Sequence, residues 1–600
     1  MFKGVMGKIL FVNLSTGDIN VEEPDEQVYC DYLGGYGLGA RILFSRQKAG
    51  VSPLGPDNTL GFVTGVLTGT PALLGNRYIV VAKSPLTGGW GDANSGGDFG
   101  PYLKFAGYDA VFFIGASAKP VYLHINEGVP HIKDASALWG KNAEQTEDML
   151  KAELGKDVRV ACIGPSGEKL ARLACIMNNK GRAAGRCGLG AVMGSKKLKA
   201  IAVYGTKEVP LADDQKVKAV RKEHQAILMA SKFVERLAKS GGTSGFTSGM
   251  TSQGEAPIKN WAGTAGDMPD VSTLSAEKIL ELREKKYSCW RCPIGCGGIM
   301  KAGTEYDYPA GAHKPEYETE AAFGSLCLNN NLQSIIMAGH ICNVYGMDTI
   351  SAGATIAFAI ECYENGLITK EDTGGIELNW GNHKAIVEMT EKMAKREGFG
   401  NILADGVKVA AEKIGKGSEQ YSMHIGGEEA AMHDPKNSPR FASGYAIDAA
   451  PGRHTQGGAT EIEGAEQKAK NTYCQAYNAT GVCMWSAGMM GEATVAEILS
   501  AVTGVDYSVE KLLEIGERIS NIRQAFNIRE GINPMERKFP GRVFGQPPLS
   551  DGPTAGKSVD VKPRAVEYFK AMDWDINTGK PSKEKLIQMG MADVAAELWP

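Results

Sequence analysis

No apolar run in the 600-residue sequence approaches the roughly 20 residues that span a bilayer. The opening MFKGVMGKILFVNLSTGDI lacks the charged start, apolar centre and small-residue cleavage site of a leader. A soluble cytoplasmic protein is expected. Positive charge is not in excess: 65 Lys and Arg against 69 Asp and Glu leave a formal net charge of −4, so no basic field is on offer to a phosphate backbone and nucleic acid is excluded as a natural partner. Cysteine is sparse, 12 in 600 residues, which rules out a disulfide scaffold and leaves thiols that are buried or metal-bound. What the sequence has is length. Six hundred residues exceed one core and predict roughly two to four domains, enough to enclose a large cofactor.

Residues 1–210 read as strands: KILFVNL, LGFVTG, RYIVVAKS, AVFFIG, PVYLHIN, DVRVACIG and KAIAVYG are short β-branched or aromatic runs punctuated by Gly, Pro and Asn. From about residue 214 the period lengthens to that of a helix, in KVKAVRKEHQAILMASKFVERLAK. The Gly/Ser/Thr-rich stretch that follows, KSGGTSGFTSGMTSQGEAPIKNWAGTAGDMPD, predicts a long loop, either mobile surface or the wall of a channel. SAEKILELREKKY predicts a helix capped by Ser275. Residues 331–364 predict two helices broken at YGMDT, and the last third mixes helices with Gly-rich turns. The expectation is an α+β protein with a sheet-rich base at 1–210 and two mainly helical domains, 211–415 and 416–600.

Cys30, Cys162, Cys175, Cys342, Cys362 and Cys474 are scattered and read as small buried hydrophobes. KKYSCWRCPIGCGGIM differs, because it spaces Cys289, Cys292 and Cys296 as C-x₂-C-x₃-C. Zinc would want a second close pair of Cys or His, and His313 is the nearest candidate. A radical S-adenosylmethionine cluster uses the reverse spacing. A [4Fe–4S] cube takes four thiolates, one of which can be distant, and Cys483 in NATGVC is available. That segment shares an N-x-x-G-[MV]-x form with NVYGMD at 343–348.

With these blocks in view the chain resembles the tungsten-containing aldehyde:ferredoxin oxidoreductases. The resemblance runs through GKILFVNLSTGDI, YLGGYGLGARIL, GNRYIVVAKSPLTGGWGDANSGGDFG, GRAAGRCGLGAVMGSKKLKAIAVYG, PEYETEAAFG, YGMDTIS and HDPKNSPRFASGYAIDAAPGRH. It implies one [4Fe–4S] cluster on Cys289, Cys292, Cys296 and Cys483, beside tungsten or molybdenum held by two pyranopterin dithiolenes. The pterin loops would be Asn343, Gly346 and Asp348, and Asn478, Gly481 and Val482. Both begin with Asn where the family has Asp, so the bond to a pterin amine loses its charge-assisted part. Arg182 and Arg186 in the glycine-rich GRAAGRCGLG, with Arg77, would meet dithiolene phosphates. The carbonyls of Asn94 and Ala183 would ligate a bridging Mg²⁺.

For the chemistry the resemblance implies a carboxylate of P-E-Y-E, Glu318 ahead of Glu316, and His454. A Glu in a dry pocket is expected to have a raised pKa suited to proton transfer. His433, in AMHDP, stands where relatives often carry another polar ring and reads as structural. Cys327 is a buried thiol, or a metal ligand of the kind used by the tungsten subunit of ATP-independent aromatic-ring reductases.

The activity implied is oxidation of an aldehyde to a carboxylic acid, with electrons leaving through the cube to ferredoxin or a ferredoxin-like multi-cluster subunit. The alternatives are a low-potential aromatic or acyl thioester reductase subunit, and a redox or scaffold subunit without catalytic metal. No E-x-x-H motif occurs, so any homodimer or hetero-oligomer is expected to lack a shared interface iron.

Overall fold

The computed structural model describes residues 2–600. All seven strand-like runs of the first 210 residues form strands, which with five further strands assort into two six-stranded sheets. The first runs in the order Ile19–Glu22, Ile9–Asn13, Ala110–Ile114, Leu60–Thr64, Tyr78–Lys83, Trp90–Ser95. The second runs Arg182–Ala184, Ile176–Asn178, Arg159–Cys162, Leu198–Tyr204, Val121–Asn126, Val129–Asp134. Each sheet has one parallel pair, Ile9–Asn13 with Ala110–Ile114 and Leu198–Tyr204 with Val121–Asn126, among antiparallel neighbours.

Leu60–Thr64 and Tyr78–Lys83 are buried along their whole length because both faces of the first sheet are covered. Helices from the far end of the chain, Gly464–Thr480, Glu492–Thr503 and Val509–Arg529, share that core with the helix Gly35–Arg46. Each fully buried Phe, Val or Ile there contributes roughly 1.5–3 kcal/mol. A second core joins the helices Tyr317–Phe323, Leu332–Tyr345, Thr349–Glu364 and His383–Lys395 to Val561–Met572. The α+β expectation therefore holds, with a sheet-rich N-terminal part and a mainly helical remainder. Among the described residues no helix is long and apolar enough to cross a membrane.

Four local expectations need correction. The helix of 214–239 is two, Asp214–Ala230 and Lys232–Lys239, because Ser231 leaves the helical conformation and turns its hydroxyl to the Val234 N–H. SAEKILELREKKY is helical only over Ala276–Leu282, and the Ser275 side chain makes no capping bond. Its second half, Arg283–Tyr287, is a strand paired with Gly297–Met300. Helix-forming residues are overridden there by the hairpin whose connection carries the three clustered cysteines. The Gly/Ser/Thr-rich stretch is no mobile surface: it folds into a 3₁₀ turn at Thr243–Phe246 and a helix at Thr247–Ser252, with Ser244, Thr247, Thr251, Glu255 and Trp261 buried. Cys30 is half-buried, unlike the other scattered thiols.

The two N-x-x-G segments sit alike. Leu332–Tyr345 stops at Gly346 (φ 73°) and Gly464–Thr480 at Gly481 (φ 84°), left-handed positions that favour glycine. Asp348 and Cys483 then begin the next helices.

Candidate active site

The edge strand Trp90–Ser95 of one sheet and the edge strand Arg182–Ala184 of the other meet over a cavity of ≈ 320 Å³. Its wall includes Arg77, Asn94, Arg182, Ala183, Arg186, Glu316, Glu318, Asn343, Asp348, His454 and Asn478, so most residues singled out in the sequence converge on one space. Gly346, Gly481 and Val482 set the backbone behind it. Gly481 accepts a bond from Arg77 N (3.0 Å), and Gly346 one from Cys175 N (2.9 Å). Cys327 is not in the wall: it is fully buried, its thiol directed at the carbonyls of Ala322 (3.4 Å) and Gly353 (3.7 Å), and burial pushes its pKa up.

The hairpin brings its cysteines toward Cys483. Cys292, Cys296 and Cys483 share a small apolar cluster with Leu74, Phe246 and Ile294. A Cβ on Gly96 would lie 2.9 Å from Cys289 Sγ, so the first sheet's edge leaves room for that sulfur only as glycine. Burial, with the nearby charges of Cys289 and Cys483, pushes Cys292 up to about 11 and Cys296 up to about 12, although Arg182 opposes the rise at Cys296. Thiols whose charged forms would repel one another fit a polycationic centre that draws off their protons.

Arg182 lies between those sulfurs and the cavity, its guanidinium 5.0 Å from the Tyr287 ring centre and 3.7 Å from Glu316. Its buried Nε and Nη2, and Nε of Arg77, have no hydrogen-bond partner within the protein. Unpartnered buried guanidinium donors beside a glycine-lined cavity fit phosphate groups of a large anionic cofactor. Arg186 differs from the expectation. Nε is 2.9 Å from Glu428 and 3.2 Å from Asp348, and Nη2 donates to the Glu429 carbonyl at 2.7 Å, so this arginine holds the first N-x-x-G loop in place. Asn94 Nδ2 donates to Asn478 Oδ1 (2.8 Å), tying the sheet edge to the second loop.

Glu318 stands at the start of the helix Tyr317–Phe323, whose entry fixes the order of the acidic pair. Glu316 faces Thr243, Lys314 (3.4 Å) and Arg182 and is engaged in structure. Glu318 accepts from Met432 N at 2.9 Å, while its Oε1 lies 3.3 Å from His433 Nε2 and 3.5 Å from His454 Nδ1. The raised pKa expected of it is not what the site produces. Burial does push the carboxyl up, but His454, His433 and the Met432 N–H outweigh it and hold Glu318 well below the ordinary carboxylate range. Burial pulls His454 down to about 4, with the neighbouring His433, Arg186 and Arg453 cations acting the same way, so its ring is neutral at pH 7. Burial also disfavours the charge on His433, yet hydrogen bonds to Glu255 and Glu318 raise it to about 9.

His433 is therefore the hub of the cluster, a role its sequence context did not suggest. Glu255 was missed altogether, because GEAPIKN has no motif and its segment has no periodicity. The only available signal was an isolated carboxylate in a polar-neutral loop.

Residues 9–205 match the family model "Aldehyde ferredoxin oxidoreductase, N-terminal domain", and residues 219–591 match "Aldehyde ferredoxin oxidoreductase, domains 2 & 3". A tungsten-containing aldehyde ferredoxin oxidoreductase of Pyrococcus furiosus is 38% identical, with 98% of this chain and 99% of the relative covered. The WOR-like subunit of an aliphatic sulfonate oxidoreductase from the same organism is 29% identical over 99% of this chain and 98% of its own. Among solved structures, the active site complex BamBC of benzoyl coenzyme A reductase with 1,5 dienoyl-CoA superposes with a TM-score of 0.85 at 26% identity, covering 100% of this chain and 98% of that one. With both halves matched and a full-length relative at that identity, the chain belongs to the aldehyde ferredoxin oxidoreductase family.

Proposed function

We propose that the chain oxidises an aldehyde to a carboxylic acid, RCHO + H₂O → RCO₂H + 2H⁺ + 2e⁻. The observation that carries this reading is the pair Glu318 and His454 on the cavity wall. Glu318 Oε1 meets the ring of His433 at 3.3 Å, and His454 Nδ1, 3.5 Å from that oxygen, is a buried polar atom without a hydrogen-bond partner in the protein. One is an ionised acceptor and the other belongs to a neutral ring that can donate to a carbonyl oxygen. That combination suits removal of a proton from water or an aldehyde hydrate while the carbonyl is polarised. Arg77 and Arg182 would hold the phosphates of a tungsten (or molybdenum) bis-pyranopterin, with Mg²⁺ between them at Asn94 and Ala183. Asn343, Gly346 and Asp348, with Asn478, Gly481 and Val482, would form the two pterin-gripping loops, and Arg186 supports the first of them. When bound, that cofactor supplies the two-electron acceptor, and a [4Fe–4S] cube on Cys289, Cys292, Cys296 and Cys483 supplies a one-electron exit toward ferredoxin or a ferredoxin-like subunit.

Nothing in the cavity wall favours the thioester-reductase alternative, since Cys327 does not reach it. We place the chain in the cytoplasm, where thiols stay reduced, and take 1–210, 211–415 and 416–600 as its working domains. Metal and pterin analysis of protein purified anaerobically, with activity on a panel of aldehydes and aryl thioesters, tests the proposal. Tungsten or molybdenum at about one per chain with aldehyde-dependent reduction of ferredoxin is expected. Turnover confined to thioesters, or a metal-free protein that only relays electrons, would overturn it.

A further inference from the structure

We propose that Glu255 is a positioning residue for the reaction: it fixes the ring of His433 through Nδ1, so that Nε2 is turned to Glu318 and that carboxylate is presented to the cavity as the proton acceptor. The inference rests on the reading of Glu318 and His454 as the chemical pair, but its geometry stands on its own. His433 Nδ1 lies 2.9 Å from Glu255 Oε1, and Nε2 lies 3.3 Å from Glu318 Oε1. Carboxylates accept and do not donate, so both ring nitrogens carry hydrogen and the ring is a cation between two anions. Glu255 is itself immobilised. Its Oε2 accepts from Asn437 Nδ2 (2.8 Å) and Ser438 Oγ (2.6 Å), and its carbonyl accepts from Asp434 N (2.7 Å). The ring plane is set by stacking on Phe441 at 4.5 Å between centres, with Tyr317 at 4.9 Å.

The titratable groups facing His433 are Glu255, Glu318, His454, Tyr317 and Tyr445, with Asp434 next along the chain. His454 stacks on it with ring centres 5.2 Å apart. A second proton there would set cation against cation, so a fixed charge on His433 adds to burial in keeping His454 neutral and helps to keep Glu318 ionised. His433 held near 9 and His454 held near 4 agree with that division. Through His433, Glu255 thus contributes to the charge states of two residues that it does not touch.

The test combines kinetics with a readout independent of turnover. ¹⁵N-histidine magnetic resonance of the purified protein, assigned with His433→Gln, should show the His433 ring doubly protonated at pH 8. In Glu255→Gln it should lose its proton at least one pH unit lower. With an aldehyde substrate, kcat of Glu255→Gln at pH 8 should fall on the order of tenfold. KM should stay within about twofold, because binding groups are untouched. Glu255→Asp, which keeps the charge, should recover part of kcat. A pH profile in Glu255→Gln identical to the parent, with His433 still cationic, would overturn the proposal. So would a neutral His433 at pH 7 in the parent, a result that needs no variant to fold and no aldehyde to be a substrate.

Discussion

Arg77 Nη2 donates to Cys483 Sγ at 3.0 Å, and the same guanidinium approaches Asn94 Oδ1 at 3.4 Å. One side chain thereby joins the fourth clustered cysteine to the sheet edge on the cavity. Asn94 continues the connection to Asn478 in the loop that ends at Cys483.

That connection separates two cysteine substitutions. Cys292→Ala should remove about four irons per chain, by the four-thiolate requirement of a cube. It should leave pterin content unchanged, because Cys292 is not part of the cavity wall. Cys483→Ala should lower both iron and pterin, since Arg77 loses its sulfur partner as well. Iron analysis and fluorescence of the oxidised pterin on the same samples check this; full iron in Cys292→Ala contradicts the cube.

Arg182→Ala should weaken retention of the pterin, because an anionic group loses a buried bidentate donor. Gly297→Ala should reproduce the effect without removing charge: its Cβ would fall 2.5 Å from Arg182 Nη2 and 2.9 Å from the Tyr287 ring, displacing the guanidinium. Pterin occupancy after dialysis is the measurement. Unchanged occupancy in both variants would remove Arg182 from the cofactor site.

What could be read in advance follows the kind of physics involved. Strand runs such as RYIVVAK are legible because burial on both faces demands a continuous apolar, β-branched segment. Glycine stops such as Gly346 and Gly481 are legible because a left-handed residue has few alternatives. REKKY was misread because its partner strand, GGIM, lies ten residues beyond it and a hairpin's stability is not local. The lowered pKa of Glu318 is not legible for the same reason on a longer scale: burial can be guessed from a P-E-Y-E motif, but the groups that reverse it come from residues 454, 433 and 432, and His433 carries its charge because Glu255 and Glu318 flank it.

Stability should depend on pH through His433. Its folded pKa, about 9, exceeds the ordinary value of 6.5, so the proton binds more tightly to the folded chain. The contribution is fully present below pH 6.5 and is lost as pH rises through 9. Its size is about 3 kcal/mol, and the part of Glu318's lowered pKa that comes from His433 is the same coupling seen from the other partner and not a second amount. Denaturant midpoints should fall between pH 6.5 and 9.5 in the parent and much less in His433→Gln. Equal slopes in the two proteins would show that His433 is not the group responsible.

The chemistry itself rests on Glu318 and His454, and each should fail in its own way. Glu318→Gln keeps the shape and one acceptor oxygen but cannot take a proton, so kcat should fall by roughly 10²–10⁴ with metal and pterin still bound. The substitution also removes one of the two anions that hold the proton on His433, so the alkaline limb of the residual activity should move to lower pH. His454→Asn retains a donor of different reach and should lose carbonyl polarisation, roughly 10²–10³-fold, the scale of deleting one transition-state donor. Because the two side chains face one another across 3.5 Å and act on the same substrate, the double variant should be little worse than Glu318→Gln alone. Fully additive losses would mean that the residues work in separate steps. Parental rates in both single variants, with cofactor fully occupied, would remove them from the reaction and return the search for the proton acceptor to the remaining carboxylates of the wall, Glu316 and Asp348.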